Sequence, residues 1–223
     1  MNLPIIFLGP SLEINKAKKI INADYKPPAR KGDFINLSLL RDKRDIVLID
    51  GVFLQEYPPT PIEVFQVINN KNFKVYGASS LGALRAVELE KFGMKGIGKI
   101  FELFKKNLIN SDDEIAVTFD SEYNLLSEAM IDIRYNIFLG WKKGIIDKET
   151  KQIMIKLAKR IYFPFRTYEN IIKKSRHLFP SKEKYISRFN EYIVVNKVSL
   201  KELDAIRALE YISSLTKNKD NEI

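Results

Sequence analysis

The run Gly77-Ala78-Ser79-Ser80-Leu81-Gly82-Ala83-Leu84-Arg85-Ala86 holds the residues best suited to chemistry in this chain of 223 residues. It follows the apolar-rich Phe73-Lys74-Val75-Tyr76 and leads into good helix formers, so it reads as a strand, a tight turn carrying hydroxyls, and a helix. A serine in such a turn meets the unpaired N–H groups and the positive end of the helix dipole, which favour an anion or a developing oxyanion. Serine is also a favoured helix cap, so Ser79 and Ser80 each carry two readings: a cap, or a nucleophile or anion ligand. The hydrolase pattern Gly-x-Ser-x-Gly is not matched on both sides of either one.

A nucleophilic serine needs a base, and the composition limits the choice. There is no cysteine, which excludes disulfides, thiolate metal sites, iron–sulfur clusters and Cys nucleophiles. The single histidine, His177, sits in the polar run Lys173-Lys174-Ser175-Arg176-His177 with little to orient it, so it reads as structural or solvent-facing. Lysine, aspartate or glutamate must then supply the base. A lysine acts as a base only when neutral, so its pKa must fall from about 10.4 towards neutrality, which requires about 4 kcal/mol of differential destabilisation. No metal and no cofactor are expected, and the glycines at Gly93, Gly96 and Gly98 lack the Walker spacing of a phosphate loop.

The elements that must position these residues alternate in type. Apolar strand-like runs at 5–8, 46–49 and 73–78 are separated by amphipathic segments at 12–21, 62–68 and 81–92, the pattern of an α/β layer with a mostly parallel sheet. Ligands in such sheets gather at the carboxyl ends of the strands. Three loops fall there: Gly9-Pro10-Ser11, Asp50-Gly51-Val52-Phe53 and Gly77-Ala78-Ser79-Ser80, and they are expected to converge on one site. After Ser127 the chain reads as helical to its end, with segments at 127–143, 147–162, 168–174, 183–194 and 199–215. Leu200, Leu203, Ile206, Leu209 and Ile212 recur at helical spacing and mark core packing.

The fold class expected is therefore α/β, an N-terminal, mostly parallel sheet with flanking helices followed by an all-helical C-terminal part. The expected domains are an α/β domain over 1–126, a basic helical region over 127–216 packed on it, and a disordered tail over 217–223. Residues 1–140 carry 18 basic and 18 acidic residues, and 141–223 carry 19 and 10, so the second part holds the whole net charge of +9. A basic helical part suits an acidic protein or an anionic substrate. Nucleic acid is disfavoured as a partner because no basic motif interleaved with aromatics is present. No stretch approaches the roughly 20 apolar residues that span a bilayer, and the first ten residues lack a basic signal region, so no membrane association and a cytoplasmic location are expected.

Several separated motifs together resemble the TfuA family, proteins that accompany YcaO enzymes in peptide-backbone thioamidation. They are Phe7-Leu8-Gly9-Pro10-Ser11-Leu12, Pro27-Pro28 with Gly32-Asp33, Ile49-Asp50-Gly51-Val52-Phe53, and the serine run from Gly77 to Ala86 with Glu88. Further on come Gly93-Met94-Lys95-Gly96-Ile97-Gly98, Asp112-Asp113-Glu114-Ile115-Ala116-Val117, and Lys201 with Asp204-Ala205. The resemblance implies a hydrolase of a thiocarboxylated ThiS-like sulfur carrier, which releases sulfide for the YcaO partner and helps it engage its peptide, with a non-catalytic adaptor or allosteric activator of YcaO as the alternative. The chain looks like the archaeal branch, whose target is a glycine of methyl-coenzyme M reductase. Family members use a Ser-Lys pair, which maps here to Ser80 and Lys201, with Ser11 and Ser79 as competing nucleophiles and Lys31 and Lys95 as competing bases; Lys201 lies among Leu200, Leu203 and Ile206 on a candidate packed helix, where desolvation is easiest to arrange, whereas Lys31 follows Arg30 in a loop and Lys95 lies in a glycine-rich turn. Ser11, Asp50, Ser79, Leu81, Gly82 and Arg85 are expected to line the site or hold the oxyanion. One departure is Pro61, which stands where family members often carry a histidine two residues before the glutamate matching Glu63.

Overall fold

A computed structural model describes residues 2–40, 43–53 and 56–220. Five short strands form one sheet: β1 (Ile5–Phe7), β2 (Asp24–Lys26), β3 (Arg44–Leu48), β4 (Phe73–Ala78) and β5 (Lys95–Ile97). Their order is β2-β1-β3-β4-β5 and every pairing is parallel, with Ile5 opposite Ile46 and Leu48 opposite Gly77. This is the doubly wound order of flavodoxin-like folds. The interleaved helices are α1 (Ile14–Ile20), α2 (Asp33–Ser38), α3 (Pro61–Asn69), α4 (Leu81–Leu89) and α5 (Lys99–Lys105). They are followed by α6 (Met130–Lys142), α7 (Lys148–Arg160), α8 (Tyr168–Leu178), α9 (Glu183–Asn196) and the long α10 (Leu200–Asp220). The expected α/β class with a helical C-terminal part is what the chain adopts.

The central strands form where apolar residues run without a break. Ile46, Val47, Leu48 and Ile49 are fully buried, as strands covered on both faces must be. The edge strands β2 and β5 carry no such run and are half-buried or exposed, so they leave little trace in the sequence. The glycine-rich segment around Gly96 is thus an edge strand, not a turn.

Two compact units divide the chain. The first comprises residues 1–112 and 201–223, the second residues 113–200. The expected boundary after residue 126 kept the last helix with the helical part. By compactness α10 belongs with the sheet, because its Ala205, Leu209 and Ile212 share a buried cluster with Ile6 and Leu8 of the β1 region, Leu12, Val47, Ile49 and Tyr76. The buried face of α10 runs through Lys201, Asp204, Ala205, Ala208, Leu209 and Ile212, while Leu203 is 44% exposed. Small alanines let the helix approach closely, and the stripe is rotated from the one the leucine spacing suggests. The helix continues through Asp220, where a disordered tail from 217 was expected, and residues 221–223 lie outside those described.

The second unit packs α6 to α9 around Met130, Ile133, Ile137, Met154, Ile171, Ile186 and Phe189. Its acidic turn at Asp113 and Glu114 is an ion-pair junction: Glu114 accepts two bonds from Arg134 (2.8 and 2.9 Å) and one from Lys159, and Asp113 accepts from Lys159 and Arg166. Burial alone would raise the Glu114 carboxyl, but the bonds from Arg134 and Lys159 outweigh it and hold the group below the usual carboxylate range. The same competition lowers Asp113. Arg166, fully buried, also donates to the carbonyls of Ala158 and Ile161.

Candidate active site

In the first unit the sheet changes direction between β1 and β3. The first crossover goes to β2 on one side and the later ones go to β4 and β5 on the other, so the loops after β1 and β3 diverge and leave a crevice at their carboxyl ends. Asp50, just past β3, occupies this switch point. Its Oδ2 accepts from the N–H of Gly9 (2.9 Å) and of Ser11 (3.1 Å), and its Oδ1 accepts from Ser11 Oγ at 2.6 Å. Three donors satisfy a carboxylate that is almost fully buried, and they lock the β1 loop to the β3 loop.

The β4–α4 turn joins the same network. Ser79 Oγ lies 3.1 Å from Ser11 Oγ and 2.8 Å from the carbonyl oxygen of Lys201. A hydroxyl has one proton to donate, and that of Ser11 is committed to Asp50. The Ser79 proton therefore goes either to Ser11 Oγ or to the Lys201 carbonyl. Ser79 is 0% exposed and adopts φ 64°, a left-handed conformation uncommon outside glycine and of the kind functional turns retain. Ser80, at the N-cap of α4, is 8% exposed, and its side chain makes no cap bond. The capping reading of Ser80 therefore has no hydrogen bond behind it.

The turn is tight because the helix packs on the sheet backbone. A Cβ on Gly82 would collide with the carbonyl of Leu48, and one on Gly77 with the carbonyl of Gly82. Glycine is needed at both positions for close approach. The Gly82 N–H donates to Ile49 O at 3.2 Å, so it is already engaged. Leu81, the first residue of α4, is the remaining expected oxyanion donor, since a first-turn N–H has no intrahelical acceptor.

Lys201 is 3% exposed on the buried face of α10. Hydrogen bonds and chain continuity bring together Ser11, Asp50, Ser79, Ser80, Leu81 and Gly82, with the backbone carbonyl of Lys201 against Ser79. Arg85 is engaged elsewhere: its Nε donates to Pro59 O at 3.0 Å and its Nη1 to Glu88 at 2.8 Å. The alternative bases lie on exposed positions. Lys31 stands over the Tyr57 ring, and Lys95 bonds the Tyr211 hydroxyl and stacks over its ring. His177 is exposed on α8 in the second unit. Pro61 is the first residue of α3, a position suited to proline, behind the Thr60 cap that accepts from Glu63 N.

The sequence assigned no role to Asp204. Its buried carboxylate accepts from the N–H groups of Lys99 (2.8 Å) and Ile100 (2.7 Å) and caps α5 from another helix. Burial raises its pKa against the opposing pull of those amides. Only its place beside Ala205 in a recognisable motif could have drawn attention to it.

In the first unit a doubly wound α/β sheet carries a serine turn and a buried carboxylate at its switch point, which is the class of protein the fold and site define. The family model described as TfuA-like protein matches residues 50–167, more than half of the chain, and the chain belongs to that family. The match includes Asp50, Ser79, Ser80 and Arg85, and Ser11 and Lys201 fall outside it. No curated protein matches the chain at a significant level. Family membership suggests a role in sulfur transfer related to thioamidation, generally associated with a YcaO partner.

Proposed function

We propose that this protein hydrolyses the thiocarboxylate of a ThiS-like sulfur carrier and hands sulfide to a YcaO-type enzyme. That enzyme thioamidates a peptide backbone, a glycine of the methyl-coenzyme M reductase alpha subunit, with this protein aiding peptide engagement. The observation that carries the reading is the 2.8 Å bond from Ser79 Oγ to the Lys201 carbonyl, which ties the first turn of α10 to the serine turn at the carboxyl edge of the sheet. Lys201 and Ser80 are thereby held on adjoining segments, the lysine out of water and the serine with a hydroxyl not spent on capping.

In this mechanism Lys201 takes the proton of Ser80 Oγ as the oxygen attacks the thiocarboxylate carbon. The oxyanion forms beside the Leu81 N–H at the positive end of α4. The intermediate collapses by breaking the C–S bond, the proton passes from Lys201 to sulfur, and sulfide leaves as HS⁻. Water then cleaves the seryl ester, with Lys201 again as base, and returns a carboxylate. Asp50 and Ser11 hold the loop beneath the turn, and Ser79 fixes the lysine-bearing helix.

Ser80→Ala and Lys201→Ala should each abolish sulfide release from a thiocarboxylated carrier, with thermal melting unchanged for Ser80→Ala. Full activity in either variant would sink that assignment. A second reading rests on φ 64° at Ser79, the backbone setting of a strained nucleophile at a strand-to-helix turn, with Ser80 N–H as oxyanion donor. It requires Ser79→Ala to be inactive and Ser80→Ala active.

A further inference from the structure

The second unit carries a groove between α8 and α9 that none of the chemistry above uses. Its volume is about 940 Å³ and its lining is mostly apolar. Ile172 and Ile193, both buried, form the floor, and Val194 forms one wall while 78% exposed. Val195 beside it is 82% exposed, so two β-branched apolar residues face water at the end of a helix they do not favour. The opposite wall presents Lys173 and Arg176 from α8. Positions 169, 172, 173 and 176 on α8, and 190, 193 and 194 on α9, follow helical spacing, so floor and walls are continuous stripes. Glu169 is the one carboxylate of the lining, and Arg176 shares its charge with Glu183 at 3.1 Å, half exposed.

An apolar trough with a cationic wall matches an amphipathic helix that carries apolar residues on one face and carboxylates beside them. The charge supports this, since the whole positive excess of the chain lies in residues 141–223, which include both walls. Nucleic acid fits less well, because it offers no apolar side chains for the floor formed by Ile172 and Ile193. We infer that this groove docks an acidic amphipathic segment of the YcaO-type partner, with apolar anchors over Ile172 and Ile193 and carboxylates against Lys173 and Arg176. The partner's identity rests on the function proposed above, whereas the groove's chemistry does not.

The experiment titrates the purified full chain against its YcaO-type partner by calorimetry, comparing wild type with Lys173→Glu and Val194→Asp. Both residues are exposed, and thermal melting checks that each variant is folded. Each variant should bind the partner at least about tenfold more weakly, and the wild-type affinity should fall as salt rises. Sulfide release from the carrier alone should be unchanged in both, which separates failure of this surface from failure of the hydrolase reading. Wild-type affinity in both variants, no binding by the wild type, or a loss confined to RNA binding would each overturn the proposal.

Discussion

Ser79 and Ser80 are adjacent, yet their surroundings differ in kind. Ser79 is fully buried, strained at φ 64° and within reach of two acceptors for its one proton, and Ser80 is slightly exposed with a hydroxyl free of capping duty. On the proposed mechanism Ser79→Ala removes the tie to the Lys201 carbonyl without removing the nucleophile. It should lower kcat for sulfide release about tenfold to a hundredfold and leave KM nearly unchanged, in line with the cost of misplacing a catalytic group; steady-state kinetics checks this. Asp50→Asn keeps the shape but turns one oxygen into a donor facing the Gly9 and Ser11 amides or the Ser11 hydroxyl. It should destabilise the protein by about 2–4 kcal/mol in urea melts, as loss of a charged acceptor for buried donors does.

The β4–α4 turn shows what an element's sequence conceals and what it reveals. Strand, turn and helix were legible from the switch between an apolar run and helix formers, and so was convergence of the three loops, because parallel sheets gather them at one edge. The commitment of Gly82 N–H to Ile49 was not legible, since it depends on how closely the helix meets the sheet. Nor was the outward turn of Arg85 to Pro59 and Glu88. The burial of Lys201 follows from a helix face that its leucines misreport: Ala205 and Ala208 face inward and Leu203 faces out. Edge strands β2 and β5 escaped notice for want of buried positions. At this scale Gly82→Ala drives a Cβ into the Leu48 carbonyl and should cost about 1–3 kcal/mol or more, read as a lowered Tm, with sulfide release falling as the turn shifts.

The two units differ in where they bury ion pairs rather than in net charge. The first carries the serine site, and the second stakes its stability on Asp113, Glu114, Arg134, Lys159 and Arg166. The Asp113 and Glu114 carboxyls titrate below their unfolded values, so the stabilisation they supply is present above the ordinary carboxylate range and is lost as pH falls through their folded values. Acid melts followed by circular dichroism should therefore show a steep loss of stability below about pH 4, and Glu114→Gln should flatten that slope. Arg166→Met should cost about 3–5 kcal/mol, because it removes a buried cation that donates to Asp113 and to the carbonyls of Ala158 and Ile161. No described helix is long and apolar enough to cross a membrane. The most direct measurement of the central claim is sulfide released from a thiocarboxylated ThiS-like carrier by the purified chain, with the YcaO-type partner absent and then present. Catalytic release without the partner, abolished by Ser80→Ala, is the predicted result; sulfide appearing only when the partner is added would contradict it and leave the protein a docking factor.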